Sequence, residues 1–212
     1  METTTLIGFA GAALGGYFAI MNPIANTPIF LSLTTGYDEA TKKAVARKSI
    51  LFAFAIIAIV SFAWKFISDL FGITLPALRI TGGIVIFIIG YHMLLGSGSK
   101  VHTPSDEDIE ESRGARLSVA ISPLGIPLLA GPGTIATAIG FAAGLELIHI
   151  IISLLAFGVI CGITYLCFLS SEKIVGHLGQ SGINVITRLM GLILATIGTD
   201  MILMGFGTYF HT

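Results

Sequence analysis

Long apolar runs separated by short polar stretches dominate the hydropathy pattern of the chain. Each run is near or above the ~20 residues that a helix needs to cross the hydrocarbon core of a bilayer. None of the runs alternates with a period of two, as the strands of a membrane β-barrel do, so we interpret all of them as helices. The pattern predicts six membrane spans, at 6–33, 49–71, 78–95, 117–142, 147–170 and 186–206.

The composition agrees with an all-α integral membrane protein. Only 11% of the 212 residues are charged and 54% are hydrophobic, whereas about 25% of the residues of an ordinary soluble domain are charged. The net charge is −1, so nothing suggests a nucleic-acid partner. We therefore expect a single membrane domain over residues 1–212, surrounded by the lipid bilayer and without an obligate protein partner.

The distribution of Lys and Arg predicts the direction of insertion, because cytoplasmic loops carry an excess of these residues. Nearly all of them lie on one predicted side, and only Lys65 and Arg79 lie on the other. This places loops 36–48 and 96–116 in the cytoplasm and both termini outside, in a multi-pass protein of the cell membrane. Residues 104–114 are acidic, and we interpret them as a cytoplasmic linker.

A weak internal repeat flanks this linker. A shift of 109 residues places Gly82 on Gly191 and Pro23 on Pro132. The two repeats then cover residues 6–103 and residues 115–212, and each of them contains three spans. Because three is an odd number, the second repeat must begin on the opposite side of the membrane. We therefore predict two inverted three-helix repeats, which is the architecture of many secondary transporters.

Helix-breaking residues interrupt the first and fourth spans at matching depth. The first span contains "NPIANT", with Asn22 before Pro23, and the fourth contains "GPGT" at 131–134. An Asn–Pro pair suits a helix start, because Asn can cap it and Pro lacks an N–H that would stay unpaired. Freed backbone groups at membrane depth are tolerated only against protein or a watery cavity. We therefore predict that helices 1 and 4 are broken near the midplane.

Two such breaks could bind a dipolar solute. The N-terminus of a half-helix attracts a carboxylate, and unwound carbonyls attract an ammonium group, so a zwitterionic amino acid suits both. The alternative is that both breaks are ordinary proline kinks and that the polar side chains are hydrogen-bonding glue between helices. The expected substrate-binding residues are Met21, Asn22, Pro23, Asn26, Thr27, Gly131, Pro132, Gly133 and Thr134.

Two further features belong to the candidate site. A proline cluster near the start of the fourth span, which either caps that helix or lines a gate, contains Ser122, Pro123 and Pro127. Asp200 is the only acid deep inside a predicted span, where an unpaired carboxylate is costly and is a functional candidate by default. Asp200 could take a coupling proton, face an outer vestibule, or pair with Arg79 or Lys65.

Three motifs resemble those of the MarC family of bacterial and archaeal membrane proteins, which includes small neutral amino acid transporters of the SnatA type. The motifs are "MNPIANTPIFLSLT", "SPLGIPLLAGPGTIATAI" and "RLMGLILATIGTDMILMG". The resemblance covers nearly the whole chain. It implies six transmembrane helices and transport of glycine, alanine and similar amino acids, driven by a proton gradient.

The resemblance also identifies individual site residues in this chain. Asn22, Pro23, Asn26 and Thr27 match the first motif of the family. The second motif is matched by Pro123, Pro127, Gly131, Pro132, Gly133 and Thr134. Many members of the family carry Gln where this chain has Asp200, so sodium stays an alternative to the proton as the coupling ion.

The leading interpretation is therefore a secondary active transporter of glycine, alanine, serine and similar amino acids that works by alternating access between inverted repeats. An exporter of drugs or other small metabolites, or a channel, is the alternative. An intramembrane enzyme is a remote one, because the sequence lacks H-E-x-x-H and G-x-S-x-G. We expect no catalytic residue, no cofactor and no metal, and the missing phosphate loop argues against ATP as the energy source.

Overall fold

The computed structural model describes residues 2–96, 129–142 and 146–210, and within these ranges every regular element is a helix. Seven helices are labelled in chain order. They are α1 (Glu2–Met21), α2 (Pro23–Leu33), α3 (Glu39–Phe71), α4 (Leu75–Leu95), α5 (Pro132–Ala142), α6 (Leu147–Leu169) and α7 (Ser171–Phe210). The helix α7 contains one residue with non-helical geometry, Gly179, at φ 60° and ψ 174°.

Five stretches of the described chain are long and apolar enough to cross a membrane. They are Leu6–Leu33, Glu39–Phe71, Leu75–Leu95, Leu147–Leu169 and Ser171–Tyr209. The prediction of an all-helical chain with several apolar, membrane-compatible helices is therefore confirmed. The fourth predicted span is represented by α5, a shorter apolar helix, because the beginning of that span at 117–128 lies outside the described residues.

Two helices extend into sequence that was predicted to be a loop. The helix α3 begins at Glu39, so most of the loop predicted at 36–48 is helical, and α7 begins at Ser171 rather than near 186. Ala, Lys, Arg and Glu are strong helix formers even where they are too polar for the bilayer core. A helix of 33 residues is about 50 Å long, which exceeds the ~30 Å hydrocarbon thickness.

The helices α4 and α7 pack along a seam of glycines and run antiparallel. Gly83 lies against Gly198, and Gly90 lies against Gly191 further along the pair. A Cβ atom added to Gly83 would lie 2.6 Å from the Gly198 carbonyl oxygen, and one added to Gly90 would lie 2.6 Å from the Gly191 carbonyl oxygen. The glycines on each helix are seven residues apart and therefore share one face. Small residues at these positions allow the two backbones to touch.

The helices α3 and α6, which correspond to the second predicted span of each half of the chain, also pack antiparallel. The rings of Phe54 and Phe157 stack near the middle of the pair, with centroids 6.0 Å apart. At the end where α3 begins, Lys42 Nζ lies 2.8 Å from Glu172 Oε1, three residues past the end of α6. The Trp64 end of α3 lies near Glu146, just before α6 begins.

The helices α1 and α5 complete this arrangement. Near one end the ring edge of Phe9 meets Phe141, with centroids 5.6 Å apart. Near the other end Gly133 lies against Ile20, in the opposite order along the chain. The principal packing contacts of the described helices thus join one half of the chain to the other, with smaller contacts of α6 to α5 and α7.

The glycine seam gives a testable prediction about stability. A Cβ atom at Gly198 would lie 2.5 Å from the Phe87 backbone nitrogen and 2.6 Å from the Gly83 carbonyl oxygen, and backbone cannot move aside as a flexible side chain can. We expect Gly198→Ala to lower the free energy of unfolding by about 1–3 kcal/mol. Thermal unfolding of purified protein in detergent would measure the change.

The matched control lies on the same helix. Gly207 has no atom within 4 Å of an added Cβ atom, and Ala is a better helix former than Gly. Gly207→Ala should therefore leave the melting temperature unchanged or raise it slightly. Equal melting temperatures for the Gly198 and Gly207 variants would contradict close packing of α4 against α7.

Candidate functional site

The site begins at an interruption between α1 and α2. Asn22 has φ 38° and ψ 68°, and it is the only residue other than glycine with a positive φ in the described ranges. The next residue is Pro23, which has no N–H, so the carbonyl of Ala19 cannot receive the usual hydrogen bond from four residues ahead. The Asn22 side chain caps the new helix, because its Oδ1 accepts a hydrogen bond from the Ala25 N–H at 3.3 Å.

Two polar side chains of α2 bond the backbone around this interruption. The Nδ2 of Asn26 donates to the Met21 carbonyl oxygen at 2.7 Å, and the Oγ1 of Thr27 donates to the Pro23 carbonyl oxygen at 2.9 Å. Both side chains are buried. The Asn26 bond ties α2 to the end of α1, the Thr27 bond lies within α2, and neither of these two bonds reaches another membrane span.

One donor at the interruption has no partner. Asn22 is 4% exposed, and its buried Nδ2 makes no hydrogen bond to any part of the chain that the structure describes. A buried donor that stays unpaired costs about 1–3 kcal/mol. Such groups are uncommon in native structures and each needs an explanation, such as a bound water or ligand.

A cavity of ≈ 270 Å³ lies next to Asn22, between the start of α2, the end of α4 and the first part of α7. Its apolar wall includes Ile20, Ile29, Ile89, Met93 and Ile183. Its polar wall includes Asn22, Asn26, Gln180, Asn184, Thr187 and Arg188. The Nε2 of Gln180 donates to the Asn184 Oδ1 at 3.1 Å, so part of the polar wall is already organised. The cavity therefore joins the first motif to the beginning of the last long helix.

The second predicted motif lies beside this cavity but does not line it. Gly131 is the residue before α5, Gly133 and Thr134 are buried, and Pro132 is exposed. A Cβ atom at Gly133 would lie 2.7 Å from the Cδ1 atoms of both Ile20 and Ile89, two residues of the apolar wall. The structure thus brings the two motifs together through Gly133, with the isoleucine side chains between this glycine and the cavity.

Met21 belongs to the helix packing rather than to the cavity wall. Its side chain is buried, and its Sδ accepts a hydrogen bond from Thr164 Oγ1 of α6 at 3.5 Å. The candidate gate residues Ser122, Pro123 and Pro127 lie outside the described residues.

Asp200 lies on an exposed face of α7 and does not line the cavity. The structure records no ion pair for its carboxylate within the described part of the chain. The alternative pairing with Arg79 is therefore not formed, and Arg79 Nη1 instead donates to Thr208 Oγ1 at 3.5 Å.

The sequence pattern missed the α7 part of the site. The stretch "GQSGINVITR" at 179–188 was assigned to a loop and to the start of the sixth span. Its signal was a group of amides and an arginine next to a membrane span, in a chain with few polar residues. Within the described ranges no group of three or more His, Cys, Asp and Glu side chains could hold a metal ion.

These features define a class of protein: an integral membrane protein of several apolar helices, with a polar cavity at a helix interruption. Comparison with protein families matches residues 9–210 to the MarC family integral membrane proteins, and the chain belongs to this family. The resemblance of the three sequence motifs to this family is confirmed.

The relatives of the chain include bacterial and archaeal proteins. It is 42% identical over 186 residues to the UPF0056 membrane protein YvbG of Bacillus subtilis, covering 87% of this chain and 88% of the relative. It is 36% identical over 198 residues to a UPF0056 membrane protein of Methanocaldococcus jannaschii, covering 91% and 93%. It is 30% identical over 206 residues to the UPF0056 inner membrane protein MarC of Escherichia coli, covering 92% of each chain.

These names describe membrane proteins and contain no enzyme activity, which is compatible with a protein that is not an enzyme. No solved structure matches the chain.

The hydrogen bonds at the interruption predict the effect of Asn26→Ala. This change removes the Nδ2 donor that lies 2.7 Å from the Met21 carbonyl oxygen, and it leaves a buried acceptor without that bond. We expect a loss of about 1–3 kcal/mol in the free energy of unfolding, measured by thermal unfolding in detergent.

The control is Asn184→Ala, which removes an exposed amide of the same type from α7. Surface substitutions of this kind usually change stability by about 0.5 kcal/mol or less. Should Asn26→Ala prove as stable as Asn184→Ala, the Asn26 bond would not support the interruption.

Proposed function

We propose that the protein is a secondary active transporter of small neutral amino acids of the glycine, alanine and serine class. The observation that carries this proposal is the cavity at the α1–α2 interruption, whose lining includes Asn22, a residue with a buried Nδ2 that has no partner among the described residues. Broken membrane helices that face a cavity are typical of substrate sites in secondary transporters. The resemblance of the motifs to the MarC family supports the choice of substrate class.

The size of the cavity supports a small solute. Its volume of ≈ 270 Å³ lies just below the ~300–1,000 Å³ that is common for sites that bind drug-sized molecules. Part of the lining is aliphatic and part offers amide and hydroxyl groups. This combination suits a molecule with a short side chain and a strongly polar head.

The antiparallel packing of α3 with α6 and of α4 with α7, which the shift of 109 residues places on each other, supports two inverted repeats that enclose the site. Movement of one repeat relative to the other would then give alternating access. The cavity lies near Gly96 and Arg188 at one end of the α4–α7 pair. At the other end Gly205 fits tightly against Ile80 and the Pro76 carbonyl oxygen. With both termini outside, the end that holds the cavity faces the cytoplasm.

The expected energy source is a proton gradient across the cell membrane, with sodium as the alternative. No carboxylate lines the cavity in the described part of the chain, so we place the coupling proton elsewhere. Asp200 is the proposed site, because an acidic residue within a membrane span is a functional candidate by default.

The proposal predicts saturable uptake of labelled glycine into liposomes that contain the purified protein. An imposed proton gradient should accelerate uptake, and Asp200→Asn should remove that acceleration while leaving glycine exchange intact. A response to a sodium gradient alone would identify sodium, rather than the proton, as the coupling ion. Uptake that neither saturates nor responds to either gradient would indicate a channel and contradict the proposal.

Gly133 gives a second test of the same site. A larger side chain there must displace Ile20 or Ile89, whose flexible ends can only move at the cost of cavity space. We expect Gly133→Val to reduce glycine uptake at least tenfold while the protein still inserts and purifies.

The matched control is Gly162→Val on α6, where an added Cβ atom meets no atom within 4 Å. This variant should transport at the rate of the unaltered protein. Normal transport by the Gly133 variant would show that the second motif does not contribute to substrate binding.

A further inference from the structure

Arg188 lies across the end of α4 and borders the cavity. The helix α4 is terminated by Gly96 in the left-handed conformation, at φ 70°. A Cβ atom at Gly96 would lie 3.0 Å from the Arg188 Nη2 and 3.4 Å from its Nε. The guanidinium therefore rests on the bare backbone of Gly96, at a place where any larger residue would displace it. Both residues line the cavity beside Asn22.

The described lining of the cavity has an unbalanced charge. Among its described lining residues Arg188 is the only ionised side chain, and no Asp or Glu accompanies it. No carboxylate lies within ion-pair distance of the Arg188 guanidinium anywhere in the described ranges. A cation without a counter-charge favours an anionic group in the adjoining space.

Two further features of the same cavity favour an anion independently of Arg188. Asn22, which lines the cavity and is only 4% exposed, has an Nδ2 without an acceptor among the described residues. Asn22 also stands at the N-terminus of α2, a helix of 11 residues, where the helix dipole favours negative charge. The cation, the free donor and the helix end therefore all suit a carboxylate.

A simpler role for Arg188 is to cap the C-terminus of α4, where a cation is also favourable. That role accounts for the contact with Gly96. It does not account for the unpaired Asn22 donor, which belongs to another helix on the same cavity. A carboxylate bound in the cavity would give Arg188 a counter-charge and would bring an acceptor to the lining that includes Asn22.

We propose that Arg188 and the Nδ2 of Asn22 recognise the carboxylate of the transported amino acid and so determine specificity. This inference rests on the proposed function and deepens it. The ammonium group meets no acidic side chain in the described lining, so it contributes less to recognition than the carboxylate. The protein should therefore reject solutes without a carboxylate and accept some without an amine.

The first experiment is competition against labelled glycine in liposomes that contain the unaltered protein. Glycolate keeps the carboxylate and replaces the amine, whereas glycinamide keeps the amine and neutralises the carboxylate. Glycolate should inhibit uptake at a concentration at least tenfold lower than glycinamide. Equal inhibition by the two compounds, or stronger inhibition by glycinamide, would overturn the inference.

The second experiment compares arginine variants. Arg188→Gln should raise the KM for glycine about tenfold or more with a smaller change in kcat, because a hydrogen bond to a charged group contributes about 1.5–3 kcal/mol, which corresponds to roughly 10–100-fold in affinity. Arg188→Lys should restore the charge but only part of the affinity, since Lys lacks the planar fork of Arg. An unchanged KM in Arg188→Gln would overturn the inference.

The control is Arg79→Gln, at the opposite end of the α4–α7 pair. Arg79 bonds Thr208 and does not line the cavity, so this variant should keep the KM of the unaltered protein. If Arg188→Gln fails to insert into the membrane, the competition experiment still tests whether the carboxylate is recognised, because it uses the unaltered protein. Absence of any saturable amino acid uptake by the unaltered protein would instead refute the proposed function itself.

Discussion

The need to satisfy backbone groups without water governs this structure. A proline in the first membrane span removes one backbone donor. Nearby side chains supply hydrogen bonds around the break: Asn22 caps the new helix, and Asn26 donates to the Met21 carbonyl oxygen. In lipid, an uncompensated break would cost several kcal/mol for each exposed group. The residues that interrupt the helix thus also supply the capping groups, and the buried Asn22 Nδ2 has no hydrogen-bond partner within the described residues.

Hydropathy predicted the all-helical membrane architecture, because apolar length is a local property that needs no knowledge of neighbours. Element bounds were less accurate. The helix α3 continues through Lys42 because backbone hydrogen bonding and helix propensity do not stop where the hydrocarbon does. Hydropathy marks where a helix meets lipid, and capping groups mark where the helix ends, as the left-handed Gly72 does for α3.

The candidate site was predictable only in part. The "NPIAN" motif was recognisable from the sequence alone, because Asn and Pro are rare in apolar helices. The opposite wall, with Asn184 and Arg188, comes from residues over 150 positions away that meet Asn22 only after α4 and α7 have packed. The internal repeat placed Gly82 on Gly191, and Gly191 does lie in the seam, but the seam glycines of α4 are Gly83 and Gly90 rather than Gly82. A register of this kind depends on which helix face is buried, and the repeat alignment carried no such information.

The interleaving of the two halves has a consequence for biogenesis. Because α1, α3 and α4 each find their main partner in the second half of the chain, the first half leaves the ribosome with these contact surfaces bare, including the glycine face of α4. These surfaces of the first half must stay covered by lipid or by the insertion machinery until α7 has been synthesised. Final assembly is then a late, concerted event, and two separately expressed halves would have to find each other in the membrane before either acquired its native shape.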